Sequence, residues 1–173
     1  MDVVSASYSD DKIAWYESDG ASDPSFTPRT ITTSAVGAIS VYAADVDNDG
    51  DMDVVSASYS DDKIAWYESN GASDPSFTAR TITTSADGPR SVYAADIDSD
   101  GDIDVLSATY FDNKIAWYEN GLSAFGDPTF GSANITTSAD AAASVYAADI
   151  DNDGDLDVVS ASYSDDKIAW YES

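Results

Sequence analysis

Residues 45–69 read DVDNDGDMDVVSASYSDDKIAWYES, and residues 149–173 read DIDNDGDLDVVSASYSDDKIAWYES. The copies differ only at Val46 against Ile150 and Met52 against Leu156, apolar for apolar in both cases. A more divergent copy, DIDSDGDIDVLSATYFDNKIAWYEN, occupies residues 96–120. Residues 1–18, MDVVSASYSDDKIAWYES, repeat the second half without the acidic run in front. The tryptophans of the four KIAWYE segments (Trp15, Trp66, Trp117, Trp170) fall 51, 51 and 53 residues apart. A fixed period of this size belongs to stacked or radially arranged units, none of which buries its apolar face alone. The two extra residues lie in the third linker, NGLSAFGDPTFGSANITT, which therefore runs at least partly over the surface.

Within one unit every local signal is β. SVYAAD (residues 91–96) is short, β-branched and aromatic, and leads into the acidic run; DVLSATY, KIAWYE and RTITTS follow, separated by turn formers. No segment carries a sustained 3.6-residue apolar period, so almost no helix is expected. In KIAWYE, Ile64 and Trp66 point to one side and Ala65 and Tyr67 to the other, both apolar. A strand without a wet face belongs to a sheet covered on both sides. A small four-stranded sheet packed between two like sheets is a propeller blade, and about 51 residues suit one blade.

The expected fold is therefore all-β: a single repeat domain forming a β-propeller of four-stranded antiparallel blades. Residues 1–35 supply an incomplete first blade, 36–86 a second, 87–137 a third and 138–173 an incomplete last one. That is about three and a half blades, with fourteen strands divided three, four, four and three. The chain starts within a unit, as if cut through a blade, and both ends expose unfinished sheets, which are sticky edges. Two chains meeting about a two-fold axis would close a ring, so a homodimer is expected. Its blade number stays open, because strand content points to seven and strand order to eight.

Composition excludes several classes of partner. Acidic residues number 33 against 7 basic ones, for a net charge of −26, which excludes nucleic acid and an anionic membrane surface as partners. There is no apolar run of spanning length. Cysteine and histidine are absent, which removes thiolate sites, the commonest general base and the commonest transition-metal ligand. What remains favoured is hard cations, alongside a share of charge that serves solubility.

The acidity is concentrated. Each complete unit contains D-x-D-x-D-G-D-x-D: Asp45, Asp47, Asp49, Asp51 and Asp53; then Asp96, Asp98, Asp100, Asp102 and Asp104; then Asp149, Asp151, Asp153, Asp155 and Asp157. These loops hold 15 of the 33 acidic residues, a crowding that a solvated surface does not require and a cation relieves. Ca²⁺ takes six to eight oxygens, and carboxylates at positions 1, 3 and 5 converge if the chain curls at the glycine of position 6. Position 7 would offer its backbone carbonyl, leaving the Asp51, Asp102 and Asp155 side chains free, and position 9 would close the shell. Mg²⁺ fits less well because it keeps its water. An EF-hand is excluded, since position 12 is Ser56, Ser107 or Ser160 instead of Glu and strands flank the loop. The expectation is one Ca²⁺ per complete loop, three per chain. The truncated first copy retains Asp2 alone and binds no ion unaided.

VYAADVDNDGDMDVVSAS resembles the FG-GAP/VCBS repeat, the calcium-loop blade of integrin α-chain propellers and of related bacterial and fungal propellers. The F-G and G-A-P signatures are largely missing, with SVYAAD in place of the former. The resemblance implies a loop between the innermost and second strands of a blade holding one Ca²⁺. The implied ligands are the Asp45, Asp47, Asp49 and Asp53 side chains with the Asp51 carbonyl, and their equivalents in the other copies. It also implies a secreted or cell-surface, non-enzymatic module for adhesion or for a protein or glycan ligand. A lectin-type propeller is the alternative, and a duplicated or engineered array with no role beyond folding is a third reading. Paired carboxylates such as Asp61 and Asp62 offer acid–base chemistry, but they recur as turn residues, so no enzyme is expected. Asn134–Thr136 reads N-I-T, a glycosylation sequon.

Overall fold

The structure, a computed structural model, describes residues 1–122 and 128–173. Part of the long third linker, residues 123–127, thus lies outside the described residues. The described residues form β-strands and turns, with no helix among them and so none long and apolar enough to cross a membrane.

Four antiparallel sheets follow one another along the chain. The first contains β1 (Val3–Ser7), β2 (Lys12–Ser18) and β3 (Phe26–Thr32). β4 (Ala38–Ala44), β5 (Asp53–Ser58), β6 (Lys63–Ser69) and β7 (Phe77–Thr83) make the second. The third begins with β8 (Pro89–Ala95), β9 (Asp104–Thr109) and β10 (Lys114–Tyr118). Before its outer strand the chain makes a separate ribbon, β11 (Asn120–Leu122) with β12 (Pro128–Phe130), and then β13 (Ala133–Thr136) completes the sheet against β10. β14 (Ala142–Ala148), β15 (Asp157–Ser162) and β16 (Lys167–Tyr171) form the fourth. Each sheet is a meander in chain order, as short turns between neighbouring strands dictate. The β11–β12 ribbon was not foreseen in this linker. Asn134 of the N-I-T sequon sits exposed on β13.

The sheets stack face to face because alternate residues of each strand point to opposite sides. Val55, Ala57, Ile64 and Trp66 of the second sheet pack on Val92, Ala94, Val105, Ala116 and Tyr118 of the third. Its other face, with Val54, Ala65 and Tyr67, covers Ile13, Val4 and Ala6 of the first. Leu106, Ala108, Ile115 and Trp117 of the third sheet meet Val145, Ala147, Val158 and Tyr171 of the fourth. Strands β5 and β9 are consequently buried at every residue, as a strand with both faces apolar requires. One phenol per repeat carries its polar atom into this core, and a serine on the neighbouring strand meets it. Ser5–Tyr16, Ser56–Tyr67, Ser107–Tyr118 and Ser160–Tyr171 lie 3.5, 3.4, 3.3 and 3.3 Å apart.

Strands β4, β8 and β14 of neighbouring sheets are tied by polar and aromatic contacts. Val92 N–H donates to Ser40 Oγ at 3.2 Å and Val145 N–H to Ser91 Oγ at 3.4 Å. Tyr42, Tyr93 and Tyr146 form a ladder with ring centroids 4.8 and 4.5 Å apart, inside the range where tilted rings attract. The stack is open at both ends. Ile168 and Trp170 are 74% and 48% exposed, whereas their internal counterparts Ile64 and Trp66 are 0% and 2%. Trp66 is core, Trp15 and Trp117 are half-buried between sheets, and Trp170 lies on the open face.

Candidate metal centre

The three acidic runs are the connections from β4 to β5, β8 to β9 and β14 to β15, so all three leave the same end of their sheets. Position 9 is already the first residue of the next strand. Local chemistry sets the curl. Position 4 (Asn48, Ser99, Asn152) has φ of 57°, 62° and 63°, and the glycine at position 6 has φ of 95°, 98° and 105°. Asn visits the left-handed region at low cost, and only glycine tolerates the more open values.

That backbone turns the carboxylates inward. Asp45, Asp47 and Asp49 each offer an oxygen such that all three lie within 4.8 Å of one another; Asp96, Asp98 and Asp100 do the same, as do Asp149, Asp151 and Asp153. Loop amides hold them there. Asp45 accepts from Asp49 N–H at 3.1 Å and from Gly50 N–H at 3.0 Å, and Asp49 accepts from Asp51 N–H at 2.9 Å. The second loop repeats these bonds at 3.1, 3.0 and 2.9 Å. In the third, Asp149 accepts from Gly154 N–H at 3.3 Å and Asp153 from Asp155 N–H at 3.0 Å. Three converging carboxylates are a hard, anionic oxygen set, which fits a calcium-class ion and not a soft or nitrogen-seeking one.

The position-9 aspartates stand outside these triplets and have a task of their own. Asp53 is fully buried, its Oδ2 accepting Val46 N–H at 3.1 Å and its Oδ1 accepting Ser69 N–H at 2.7 Å. Asp104 repeats this with Ile97 at 3.1 Å and Asn120 at 2.7 Å, and Asp157 with Ile150 at 3.1 Å and Ser173 at 3.2 Å. Even Asp2 of the short first copy accepts from Ser18 N–H, at 3.0 Å. Each therefore pins the loop's second residue to the end of the third strand. The position-7 side chains are not uniformly free: Asp102 takes Asn48 Nδ2 on Oδ1 and Leu122 N–H on Oδ2, both at 3.1 Å. The paired carboxylates of the β5–β6 turn are committed to structure, with Asp61 bound to Lys63 at 2.7 Å and Asp62 accepting Gly88 N–H at 3.0 Å.

Burial pushes the Asp53 carboxyl up to about 7 and the Asp104 carboxyl up to about 6, despite the amides each accepts. Asp47 is also held above the usual carboxylate range, first by burial and then by the Asp49 charge. A raised folded-state value means that stability is fully present below the ordinary carboxylate value and is lost as pH rises through about 6 to 7. The metal-free chain is thus expected to melt at a higher temperature at pH 5 than at pH 8. Thermal melts in EDTA at the two pH values check this; equal midpoints would show that these buried carboxyls do not govern stability.

Comparison with known proteins supports the repeat reading. A model of the FG-GAP-like repeat matches residues 1–56, 45–107 and 96–160. No curated protein matches the chain. Among solved structures, the chain is similar to a lectin of Agrocybe aegerita, described in terms of specific recognition of non-reducing terminal N-acetylglucosamine. The TM-score is 0.56 at 16% identity, over 92% of this chain and 46% of that one. This chain therefore spans less than half the lectin's length, and the likeness is one of fold. With the acidic loop in each complete unit and the repeat matched three times between residues 1 and 160, the chain belongs to the FG-GAP-like repeat family.

Proposed function

We propose that this chain is a calcium-stabilised, non-enzymatic β-propeller module whose three acidic loops each hold one Ca²⁺. The observation that carries the reading is the convergence of three carboxylates within 4.8 Å in every complete loop. Without an ion these charges repel. With one they staple the hairpin between the first two strands of the second, third and fourth sheets. Asp45, Asp47 and Asp49, Asp96, Asp98 and Asp100, and Asp149, Asp151 and Asp153 would hold the ions, with the carbonyls of Asp51, Asp102 and Asp155 beside them. Three ions reduce the net charge of −26 to about −20. Extracellular calcium modules work at dissociation constants of roughly 10⁻⁴–10⁻³ M, and a secreted or cell-surface setting is the one proposed for this module. Calorimetric titration of the metal-stripped chain tests the reading. About three calcium ions per chain support it; no binding at millimolar calcium overturns it.

The four sheets read as two complete blades flanked by two incomplete ones, and the fourth sheet's outer face is built like a covered one. Val159, Ala161, Ile168 and Trp170 repeat Val55, Ala57, Ile64 and Trp66, which the third sheet buries. A second copy of the chain is proposed to cover it, as a homodimer. Light scattering is expected to give twice the chain mass, and a strict monomer at tens of micromolar would sink the dimer.

One observation favours a glycan ligand over a protein one. A cleft of about 700 Å³ opens between the first and second sheets, where half-buried Trp15 stands beside Asp2, Glu17 and Asp51. A second, of about 420 Å³, sets Trp117 beside Asp98 and Asp155 between the third and fourth. An indole face flanked by carboxylates suits a sugar ring, whose CH face stacks while its hydroxyls donate. A glycan array is the direct test, and the absence of any hit with the calcium-loaded protein removes this reading while leaving the module itself untouched.

A further inference from the structure

The first and second acidic loops are joined by two asparagines, whereas no side-chain bond joins the second and third among the described residues. Asn48, at position 4 of the first loop, donates from Nδ2 to Gly101 O and to Asp102 Oδ1, both at 3.1 Å. Asn120, fully buried at the start of β11, donates from Nδ2 to Val46 O at 2.9 Å and to Ile103 O at 3.0 Å. Its own N–H holds Asp104 at 2.7 Å. One amide thus straddles the carbonyls of two loops whose residues lie 74 and 17 positions away in the chain.

The next junction lacks both residues, since its donors would be Ser99 and Ser173 and the third loop's own Asn152 has no fourth loop to meet in residues 1–173. Position 4 of the second loop is Ser99, and the residue after KIAWYE is Ser18, Ser69 or Ser173 in the remaining copies. A serine hydroxyl is a single donor on a short stem and cannot straddle two carbonyls as an amide NH₂ does. The junction between the second and third loops is therefore without the tie.

We propose that the first two loops form one coupled cation-binding unit and that the third loop binds its ion independently. The proposal rests on the calcium reading above. Val46 lies between Asp45 and Asp47 in the chain, Asn48 between Asp47 and Asp49, and Gly101 to Ile103 between Asp100 and Asp104. An ion that draws the first triplet together fixes the backbone at positions 46 and 48, and with it the first-loop end of each asparagine tie. The second loop is then partly ordered before its own ion arrives, so that ion meets a smaller ordering cost. Repulsion between bound cations opposes binding at both junctions alike, so a difference between the junctions isolates the asparagines.

The test is calorimetric calcium titration of the full chain, repeated with Asn48→Ser and Asn120→Ser, the residues found at position 4 of the second loop and after the other KIAWYE segments. The wild type is expected to bind two ions cooperatively, the first raising affinity for the second about five-fold or more, the low end for linked sites, and a third separately. The double variant is expected to bind three ions as independent sites. Hydrogen exchange on Asp47→Ala, which alters only a surface loop, gives a readout that needs neither asparagine changed. With calcium present, exchange is expected to quicken in the second loop and stay unchanged in the third. Three independent sites in the wild type, an isotherm indifferent to both serines, or equal exchange effects in the second and third loops would overturn the coupling and leave the calcium reading standing. No calcium binding at all would overturn both.

Discussion

Stripping divalent cations with EDTA is expected to lower the melting temperature by roughly 15–30 °C relative to the calcium-saturated chain. One site at a free concentration a hundred times its dissociation constant contributes about 2.7 kcal/mol, so three contribute about 8. For a chain of this size each kcal/mol moves the midpoint by about 2–4 °C. The effect is large because the loops hold 15 of the 33 acidic residues and, without ions, their repulsion is offset among the described residues by hydrogen bonds from backbone amides and the Asn48 side chain. Magnesium at the same concentration is expected to restore only a small part of the loss, since it gives up its water reluctantly. A melting curve that EDTA leaves in place would remove the ions from the stability of the fold.

Asp53→Ala is expected to cost about 2–4 kcal/mol even in EDTA, where metal plays no part. The substitution strands two buried amides, Val46 N–H and Ser69 N–H, and each unsatisfied group costs about 1–3 kcal/mol. Asp2→Ala removes one bond to the exposed Ser18 amide, which water replaces, and is expected to cost well under 1 kcal/mol. Asp47→Ala in EDTA is expected to be neutral or mildly stabilising, because it relieves repulsion within a triplet. Urea midpoints of the three variants, measured without and with calcium, separate the roles. If Asp53→Ala is as harmless in EDTA as Asp47→Ala, its carboxylate is a ligand and not a bracket.

Much of this was legible because it is local. Loop and strand types follow from residues within a few positions of one another. The D-x-D-x-D-G spacing and the glycine determine the curl that brings Asp45, Asp47 and Asp49 together, and the alternation in KIAWYE places Trp66 and Tyr67 on opposite faces of one strand. The bracket made by Asp53 was hidden because its partner, Ser69 N–H, is at the far end of the next strand, 16 residues on. Asn120 was visible as the one departure from serine after KIAWYE, but nothing in the chain announced its partner.

The sequence by itself determined the repeat, its period, the all-β character and the three acidic loops, since periodicity and turn chemistry act between near neighbours. The tertiary structure decided which carboxylates cluster and which brace the strands, which tryptophans are covered, and which loops are tied to one another. Those outcomes depend on stacking sheets from different repeats, which sets Asn120 against Val46 across 74 residues and leaves Ile168 and Trp170 on an open face. Near-identical units acquire different roles because burial is a property of neighbours, and the end sheets have only one.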